Sequence, residues 1–254
     1  MPTSSQTRHS IEARLGVVAV LLLAIGALVY FSYEKNVPIA AVQQISAVPA
    51  INATSDKEIV HGDTTKKQVI FTFDGGDSSL SSHRILKALA KHHVKGTFFL
   101  TGKFVQANPD LVRQMATSGN EIFSHTYSHP HLTTLSDAEI AGELMNMEHV
   151  LIAIADVSPR PYFRAPYGDR DARVIADVFK SGYESVYWTV DARDWMEPQG
   201  ETNASVEDRI LSNLAPGNIY LMHLGDNITG SILDDVFTKI ENQGYKIVSL
   251  TQGL

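Results

Sequence analysis

The sequence predicts an α/β fold, a distorted (β/α) barrel of about seven units that is preceded by one N-terminal transmembrane helix. Short apolar runs alternate from residue 68 onward with longer segments of helical periodicity, and this alternation is typical of a parallel sheet covered by helices. Ahead of them, residues 15–32 form an uncharged apolar run without proline. A helix of that length approaches the hydrocarbon thickness of a bilayer, which is about 30 Å.

The residues around this apolar run predict its orientation. Arg8 and Arg14 precede it, and basic residues favour the cytoplasmic side of a membrane. Residues 1–14 are therefore expected in the cytoplasm, and the chain after the run is expected outside it. The run is longer than the apolar part of a typical secretion signal, so we interpret it as a retained single-pass anchor in the cell membrane. A cleaved signal peptide, the alternative, would make the protein secreted.

The remainder of the chain divides into a linker and a folded domain. Residues 33–67 are polar without a sustained period, which predicts a linker, and residues 68–254 carry the repeated pattern of the domain. Apolar runs predict strands at residues 68–73, 96–102, 121–126, 183–190, 218–223 and 246–250, and residues 162–168 are predicted as a strand followed by a loop. Periodic segments predict helices at residues 81–93, 108–119, 137–155, 170–182, 206–215 and 230–244.

Composition excludes several classes of function. The net charge is −7 and the basic residues are scattered along the chain, so no nucleic-acid partner is expected. No glycine-rich phosphate-binding motif is present, so no nucleotide is expected either. The absence of cysteine excludes disulfides, thiolate metal sites and a cysteine nucleophile. A metal would therefore be bound by histidine, aspartate or glutamate.

Ionisable side chains follow five of the predicted strands. They are Asp74, His125, Arg164, Asp191 and His223. Because the carboxyl ends of parallel strands share one edge, both a barrel and an open doubly wound sheet would bring these groups to one face. The sequence therefore predicts the functional site at this face.

The stretch HTYSHPH, residues 125–131, contains a candidate metal site. His125 and His129 are four residues apart, and a helical turn would bring both imidazoles to one side. Such a pair is also compatible with ordinary hydrogen-bonding histidines. A carboxylate from Asp74 or Asp77 would complete a site of three ligands that leaves positions open for water.

Five separated motifs resemble the NodB-type polysaccharide deacetylase family, which comprises metal-dependent carbohydrate esterases acting on N-acetylated glycans. In the family's order they are TFDGG, HTYSH, RAPYG, DARDW and LMH. The resemblance covers residues 68–254 and implies a divalent metal, with zinc as the first candidate. It also implies an N-acetylated glycan as the substrate, either cell-wall peptidoglycan or a chitin-like oligosaccharide.

The resemblance also implies roles for individual residues. Asp74 would be the general base, braced by Arg164, and His223 would be the catalytic acid, supported by Asp194. The two histidines of HTYSH would bind the metal. The residues implied in substrate binding are Tyr167, through its backbone N–H, Trp195 and Leu221. Amide hydrolysis does require an activated water, oxyanion stabilisation and a proton for the amine, and these side chains supply such chemistry.

One motif departs from the family pattern. The family has two consecutive aspartates, of which the second binds the metal, and Gly75 stands at that second position. Asp77 is our predicted replacement, because Gly75 and Gly76 would allow the loop to fold over the ion. Alternatively, two histidines and water hold the metal, or the metal binds weakly.

Two other functions remain compatible with the motifs. The protein would be a catalytically silent carbohydrate-binding or scaffolding protein if the altered motif abolished turnover. It would be an amidase on a non-sugar amide if the same machinery met another substrate. Release of acetate from N-acetylglucosamine oligomers separates these alternatives from a glycan deacetylase.

Overall fold

The computed structural model describes residues 57–76 and 78–254. Within them, eight strands form one sheet whose pairs are all parallel. The strands are β1 (Gln68–Gly75), β2 (Thr97–Leu100), β3 (Glu121–Ser124), β4 (Tyr162–Phe163), β5 (Glu184–Ser185), β6 (Val190–Asp191), β7 (Ile219–His223) and β8 (Lys246–Val248). The parallel arrangement predicted from the alternating pattern is confirmed.

The strand order is β5-β4-β3-β2-β1-β7-β6, and β8 pairs with the first residues of β1. Strand β1 therefore lies near the centre of the sheet, with β2 on one side and β7 on the other. No pairing joins β5 to β6 among the described residues, so the sheet is a half-barrel that curves without closing.

Helices cover the outer face of the sheet. They are α1 (Ser82–Lys91), α2 (Gly102–Ala107), α3 (Pro109–Thr117), α4 (Asp137–Ala155), α5 (Ala172–Lys180), α6 (Asn203–Ser212) and α7 (Ile228–Asn242). The short helix α8 (Leu250–Gly253) instead places Leu250 in the apolar cluster that contains Ile70. The longest, α4, begins at a capping box in which Ser136 and Glu139 exchange hydrogen bonds. The main apolar core lies between these helices and the sheet, with Phe237 of α7 against Phe71 of β1.

Strand β1 shows how the period of two in a strand creates the site. Val69, Phe71 and Phe73 belong to the core that packs against the helices. Ile70 belongs to a separate apolar cluster, and the polar residues Thr72 and Asp74 follow it at the same alternation. The inner face of this strand thus changes from apolar to polar towards its carboxyl end.

Among the predicted bounds that differ from the structure, two bear on the path of the chain. The single strand expected at residues 183–190 is divided into β5 and β6, because its first part pairs with β4 and its last part pairs with β7. The last part of the linker, which was expected to extend to residue 67, is bound to the domain through its backbone. Ile59 pairs with Val186, and the amides of Gly62 and Asp63 donate to carbonyl groups of the domain. The folded part therefore begins before β1.

The predicted transmembrane span at residues 15–32 lies outside the described residues. Among residues 57–76 and 78–254, no helix has the length and apolar character that crossing a membrane requires.

Candidate active site

The carboxyl ends of the strands line a cleft of about 560 Å³. The cleft contains most of the residues that the motifs singled out, and they come from β1, β3, β6, β7 and the turns that follow the strands. The predicted site residues that line it are Asp74, His125, His129, Tyr167, Trp195, Leu221 and His223. Of the five strand-end groups expected at one face, Asp74, His125, Asp191 and His223 line this cleft, whereas Arg164 is buried and does not.

Asp74 is held in place by a buried arginine. The Nη1 atom of Arg164 lies 2.8 Å from Oδ1 of Asp74 and donates to Oγ1 of Thr72 at 2.7 Å. Arg164 is fully buried, and its other nitrogens donate to backbone carbonyls of the segment after β5. Its guanidinium also lies 4.1 Å from the centre of the Phe99 ring. One carboxylate oxygen is therefore committed to Arg164, and Oδ2 faces His125 at 3.6 Å.

His125 and His129 form a pair of imidazoles, with their Nε2 atoms 3.2 Å apart. Nδ1 of His125 donates to the carbonyl oxygen of Arg164 at 2.9 Å, so Nε2 keeps its lone pair. Burial lowers the pKa of His125, which keeps its imidazole neutral. A neutral, oriented imidazole beside a second one fits a divalent ion of the zinc type.

The motifs predict a carboxylate as the third ligand beside the two imidazoles. Within residues 57–76 and 78–254, no three histidine, aspartate or glutamate side chains form a metal-binding group. Asp77, the predicted third ligand, lies outside the described residues. Its role remains a prediction.

The two glycines that follow Asp74 have different surroundings. A Cβ on Gly75 would lie 2.7 Å from Cδ2 of Leu100 and 2.8 Å from Cδ1 of Leu224, so this position faces apolar side chains of the core. A Cβ on Gly76 would meet nothing within 4 Å. Close packing thus accounts for a glycine at position 75 but not at position 76.

Beside Asp74, at the end of the neighbouring strand β7, His223 is paired with a buried carboxylate. Nδ1 of His223 donates to Oδ1 of Asp194 at 2.9 Å, and the backbone N–H of the same histidine donates to Oδ2 at 2.6 Å. Burial lowers the pKa of His223, but the negative charge of Asp194 outweighs it and raises this pKa to about 9. His223 is therefore protonated at neutral pH, as a proton donor must be.

Three residues with implied roles in substrate binding surround these groups. Leu221 is buried in β7, two residues before His223, and lines the cleft. Trp195 follows Asp194 in a 3₁₀ turn, and 48% of its surface is exposed at the mouth. Tyr167 adopts a left-handed conformation with φ of 59°, and its ring stacks on His131 with centroids 4.2 Å apart.

The sequence analysis missed an acid in the same cleft. Asp226 lines it three residues beyond His223, and its Oδ1 accepts the backbone N–H of Thr229 at 2.8 Å. Burial and the neighbouring Asp194 raise the pKa of Asp226 to about 7. In the sequence, Asp226 could have been identified by its position in the loop that follows the strand ending at His223, which was already a catalytic candidate.

Comparison with known proteins agrees with this geometry. The sequence profile of the polysaccharide deacetylase family matches residues 61–186. The peptidoglycan-N-acetylmuramic acid deacetylase PdaA of Bacillus subtilis is 33% identical over 189 residues, covering 74% of this chain and 72% of that protein. A peptidoglycan-N-acetylglucosamine deacetylase of Bacillus cereus is 31% identical over 193 residues, covering 74% and 69%.

A solved structure adds a relative of another kind. BA3943 of Bacillus anthracis, described as a pseudoenzyme of carbohydrate esterase family 4, superposes with a TM-score of 0.74 at 31% identity, covering 78% of this chain and 69% of that one. A mutant of BA3943 is described as having restored enzymatic activity. From the shared fold, the profile match and the identity to curated relatives, the chain belongs to the polysaccharide deacetylase family.

Proposed function

We propose that this protein is a metal-dependent hydrolase that removes N-acetyl groups from a glycan, with cell-wall peptidoglycan or a chitin-like oligosaccharide as the substrate. The observation that carries the proposal is a pair of held ionisable groups that line one cleft from neighbouring strands: a carboxylate held by Arg164 at the end of β1, and an imidazole held by Asp194 at the end of β7. Hydrolysis of an amide needs a base for the attacking water and an acid for the leaving amine. The substrates named for the curated relatives support the choice of glycan.

Asp74 acts as the general base in this proposal. Its Oδ1 is engaged by Arg164, so Oδ2 takes the proton from the attacking water as the oxygen of that water bonds to the acetyl carbon. Arg164 favours the ionised form of Asp74 and fixes its rotamer. It thus acts through Asp74 without touching the substrate.

His223 acts as the general acid. Its Nδ1 is bonded to Asp194, so Nε2 donates the proton to the amine nitrogen when the carbon–nitrogen bond breaks. Acetate and a free amine on the sugar are the products. Tyr167 offers its backbone N–H to the oxyanion, while Trp195 and Leu221 enclose the acetyl group.

The metal in this proposal is zinc or a similar divalent ion, bound by His125 and His129 with Asp77 as third ligand. When bound, it would supply Lewis-acid polarisation of the acetyl carbonyl. The convergence of the two imidazoles supports this assignment. Zinc titration of Asp77→Ala tests the third ligand, because loss of a ligand weakens binding whereas an uninvolved side chain leaves it unchanged.

We further propose that the protein acts outside the cytoplasm. The apolar run at residues 15–32 supports a single-pass anchor in the cell membrane, and Arg8 and Arg14 support a cytoplasmic N-terminus. A cell-wall substrate fits this placement. Protease added to intact cells or spheroplasts would then remove the domain.

The first test is acetate release from peptidoglycan and from N-acetylglucosamine oligomers in the presence of zinc. We expect Asp74→Asn to lose on the order of 10²–10⁴ in turnover, because the base is removed, while most of the zinc affinity remains. His125→Ala should lose both turnover and zinc affinity. Asp110→Asn is the matched control, because Asp110 is an exposed carboxylate that pairs with Arg113 of its own helix. Near-normal turnover in Asp74→Asn would refute its assignment as the base.

A second candidate function is a catalytically silent glycan-binding protein. Gly75, which stands at the family's carboxylate position, favours it, as does the likeness to a pseudoenzyme. The retained pairs around Asp74 and His223 argue against it, because binding alone requires neither a base nor an acid. Zinc-loaded protein that binds glycan but releases no acetate would identify this second function.

A further inference from the structure

The turn that connects His125 to His129 has an unusual backbone. Thr126 has a φ of 66° and His129 a φ of 64°, which is the left-handed region that side chains other than glycine rarely adopt. Two such residues in one short turn persist only where the surrounding structure holds them. The position of the His129 imidazole therefore depends on what contacts this turn.

The carbonyl groups of the turn are bound by the first residues of α2. The backbone N–H of Gly102 donates to the Thr126 oxygen at 3.0 Å, and that of Lys103 donates to the Tyr127 oxygen at 3.0 Å. A Cβ on Gly102 would lie 2.3 Å from the Tyr127 ring, so only glycine permits this approach.

The N–H groups of the turn are bound by a single side chain of α4. Oε2 of Glu143 accepts the backbone N–H of Tyr127 at 2.9 Å and that of Ser128 at 2.7 Å. Its Oε1 accepts the hydroxyl of Ser128 at 2.8 Å. Hydrogen bonds to an ionised carboxylate are among the strong ones. One carboxylate, contributed by a helix that lines no part of the cleft, thus satisfies three donors of the turn.

We propose that Glu143 is a positioning residue for the metal site: its carboxylate folds the 126–129 turn so that Nε2 of His129 faces Nε2 of His125. The proposal rests on the metal site of the proposed function and names what orients it. His129 is one of the two imidazoles that bind the metal in that proposal, so its orientation bears directly on the site. Metal affinity should therefore depend strongly on the orientation of His129.

Zinc affinity of the detergent-solubilised full chain, measured by competition titration, tests this role. We expect Glu143→Ala to weaken binding roughly 10–100-fold, the usual effect of removing a group that orients a ligand. Glu143→Gln should bind zinc within a few-fold of the unaltered protein. Its amide oxygen still accepts from Tyr127 and Ser128, and its amide N–H donates to the Ser128 hydroxyl. Equal losses in both variants would overturn the positioning role in favour of a simple charge effect.

Glu139→Ala is the matched control on the same helix. The Glu139 carboxylate bonds the backbone N–H and the hydroxyl of Ser136, at 2.8 and 2.6 Å, and does not contact the turn. Its loss destabilises the start of α4, so it reproduces the general stability cost of altering this helix. Zinc affinity should be unchanged in this variant.

A second measurement requires no metal. Hydrogen exchange of peptides spanning residues 125–130 should be faster in Glu143→Ala than in Glu139→Ala, because the Tyr127 and Ser128 amides lose their acceptor. Unchanged exchange and unchanged zinc affinity in Glu143→Ala would overturn the proposal, as would a lack of zinc binding by the unaltered protein. Acetate release distinguishes failure of this inference from failure of the proposed function. If Glu143→Ala releases acetate at the rate of the unaltered protein, only the inference is refuted. If the unaltered protein binds zinc but releases no acetate, only the proposed function is refuted.

Discussion

Arg164 and Asp194 are two fully buried charged residues at the centre of the site. Burying a charge costs several kcal/mol unless it is paired, and replacing such a pair by apolar residues is often neutral for stability. Each has an ionisable partner that lines the cleft, Asp74 for Arg164 and His223 for Asp194. At the scale of single residues, these charges are better explained by the protonation states they impose than by the stability they add.

The pH dependence of turnover should report the pair of His223 and Asp194. Since the pKa of His223 is raised to about 9, its protonated form is available at neutral pH and turnover should decline above about pH 9. The stability contributed by this raised pKa is present below about pH 6.5 and is lost as the pH rises through about 9.

Asp194→Asn should move the basic limb of the kcat/KM profile to lower pH, because the carboxylate that holds the proton on His223 is removed. The measurement is the profile of zinc-loaded protein from pH 6 to pH 11, read for the position of the limb. A limb that stays in place in Asp194→Asn would show that another group carries the transferred proton.

At the scale of elements, the end of β1 combines two surfaces. Asp74 faces the cleft, whereas position 75 faces Leu100 of β2 and Leu224 beyond β7. An aspartate at position 75, as the family has, would need the space that these leucine side chains fill. The change from the family motif is therefore coupled to the packing of the neighbouring strands and is more than a lost ligand.

Replacing each glycine of this stretch by alanine tests that packing. Gly75→Ala should lower the free energy of unfolding by about 1–3 kcal/mol, because its Cβ must displace two leucine side chains. Gly76→Ala is the matched control, and open space around it predicts a change within about 0.5 kcal/mol. Urea denaturation of both variants provides the comparison. Equal stabilities would mean that the leucines move aside freely.

At the scale of the whole molecule, the half-barrel is extended by the segment before β1. Glu58 forms an ion pair with Arg170 at 2.8 Å and accepts the hydroxyl of Ser185, and Ile59 continues the pairing beside β5. This segment lies along the open edge of the sheet, where unpaired backbone would otherwise be exposed. This segment therefore belongs to the folded domain and not to the linker.

Removing this segment should lower thermal stability. A chain that begins at residue 65 lacks the contacts of Glu58, Ile59, Gly62 and Asp63, and should melt several degrees below a chain that begins at residue 57. For a domain of this size, each kcal/mol corresponds to roughly 2–4 °C. Scanning calorimetry of the two chains measures the difference. Identical melting temperatures would place the start of the domain at β1, as the sequence pattern predicts.

The sequence by itself determined the parallel sheet and the edge at which the site lies. Alternating strand and helix patterns require parallel strands, and the carboxyl ends of parallel strands meet, so Asp74, His125 and His223 had to converge. The spacing of His125 and His129 also indicated the imidazole pair, because residues four positions apart lie close together whenever the chain between them forms a turn.

Only the tertiary structure decided which groups touch. Arg164 reaches Asp74 across 90 positions of the chain, and Glu143 reaches the turn before His129 from a helix whose own pattern shows no sign of it. The neighbours of Gly75, Leu100 and Leu224, come from β2 and from the loop after β7. Such contacts depend on strand order and on the path of each crossover, which local propensity and periodicity do not encode.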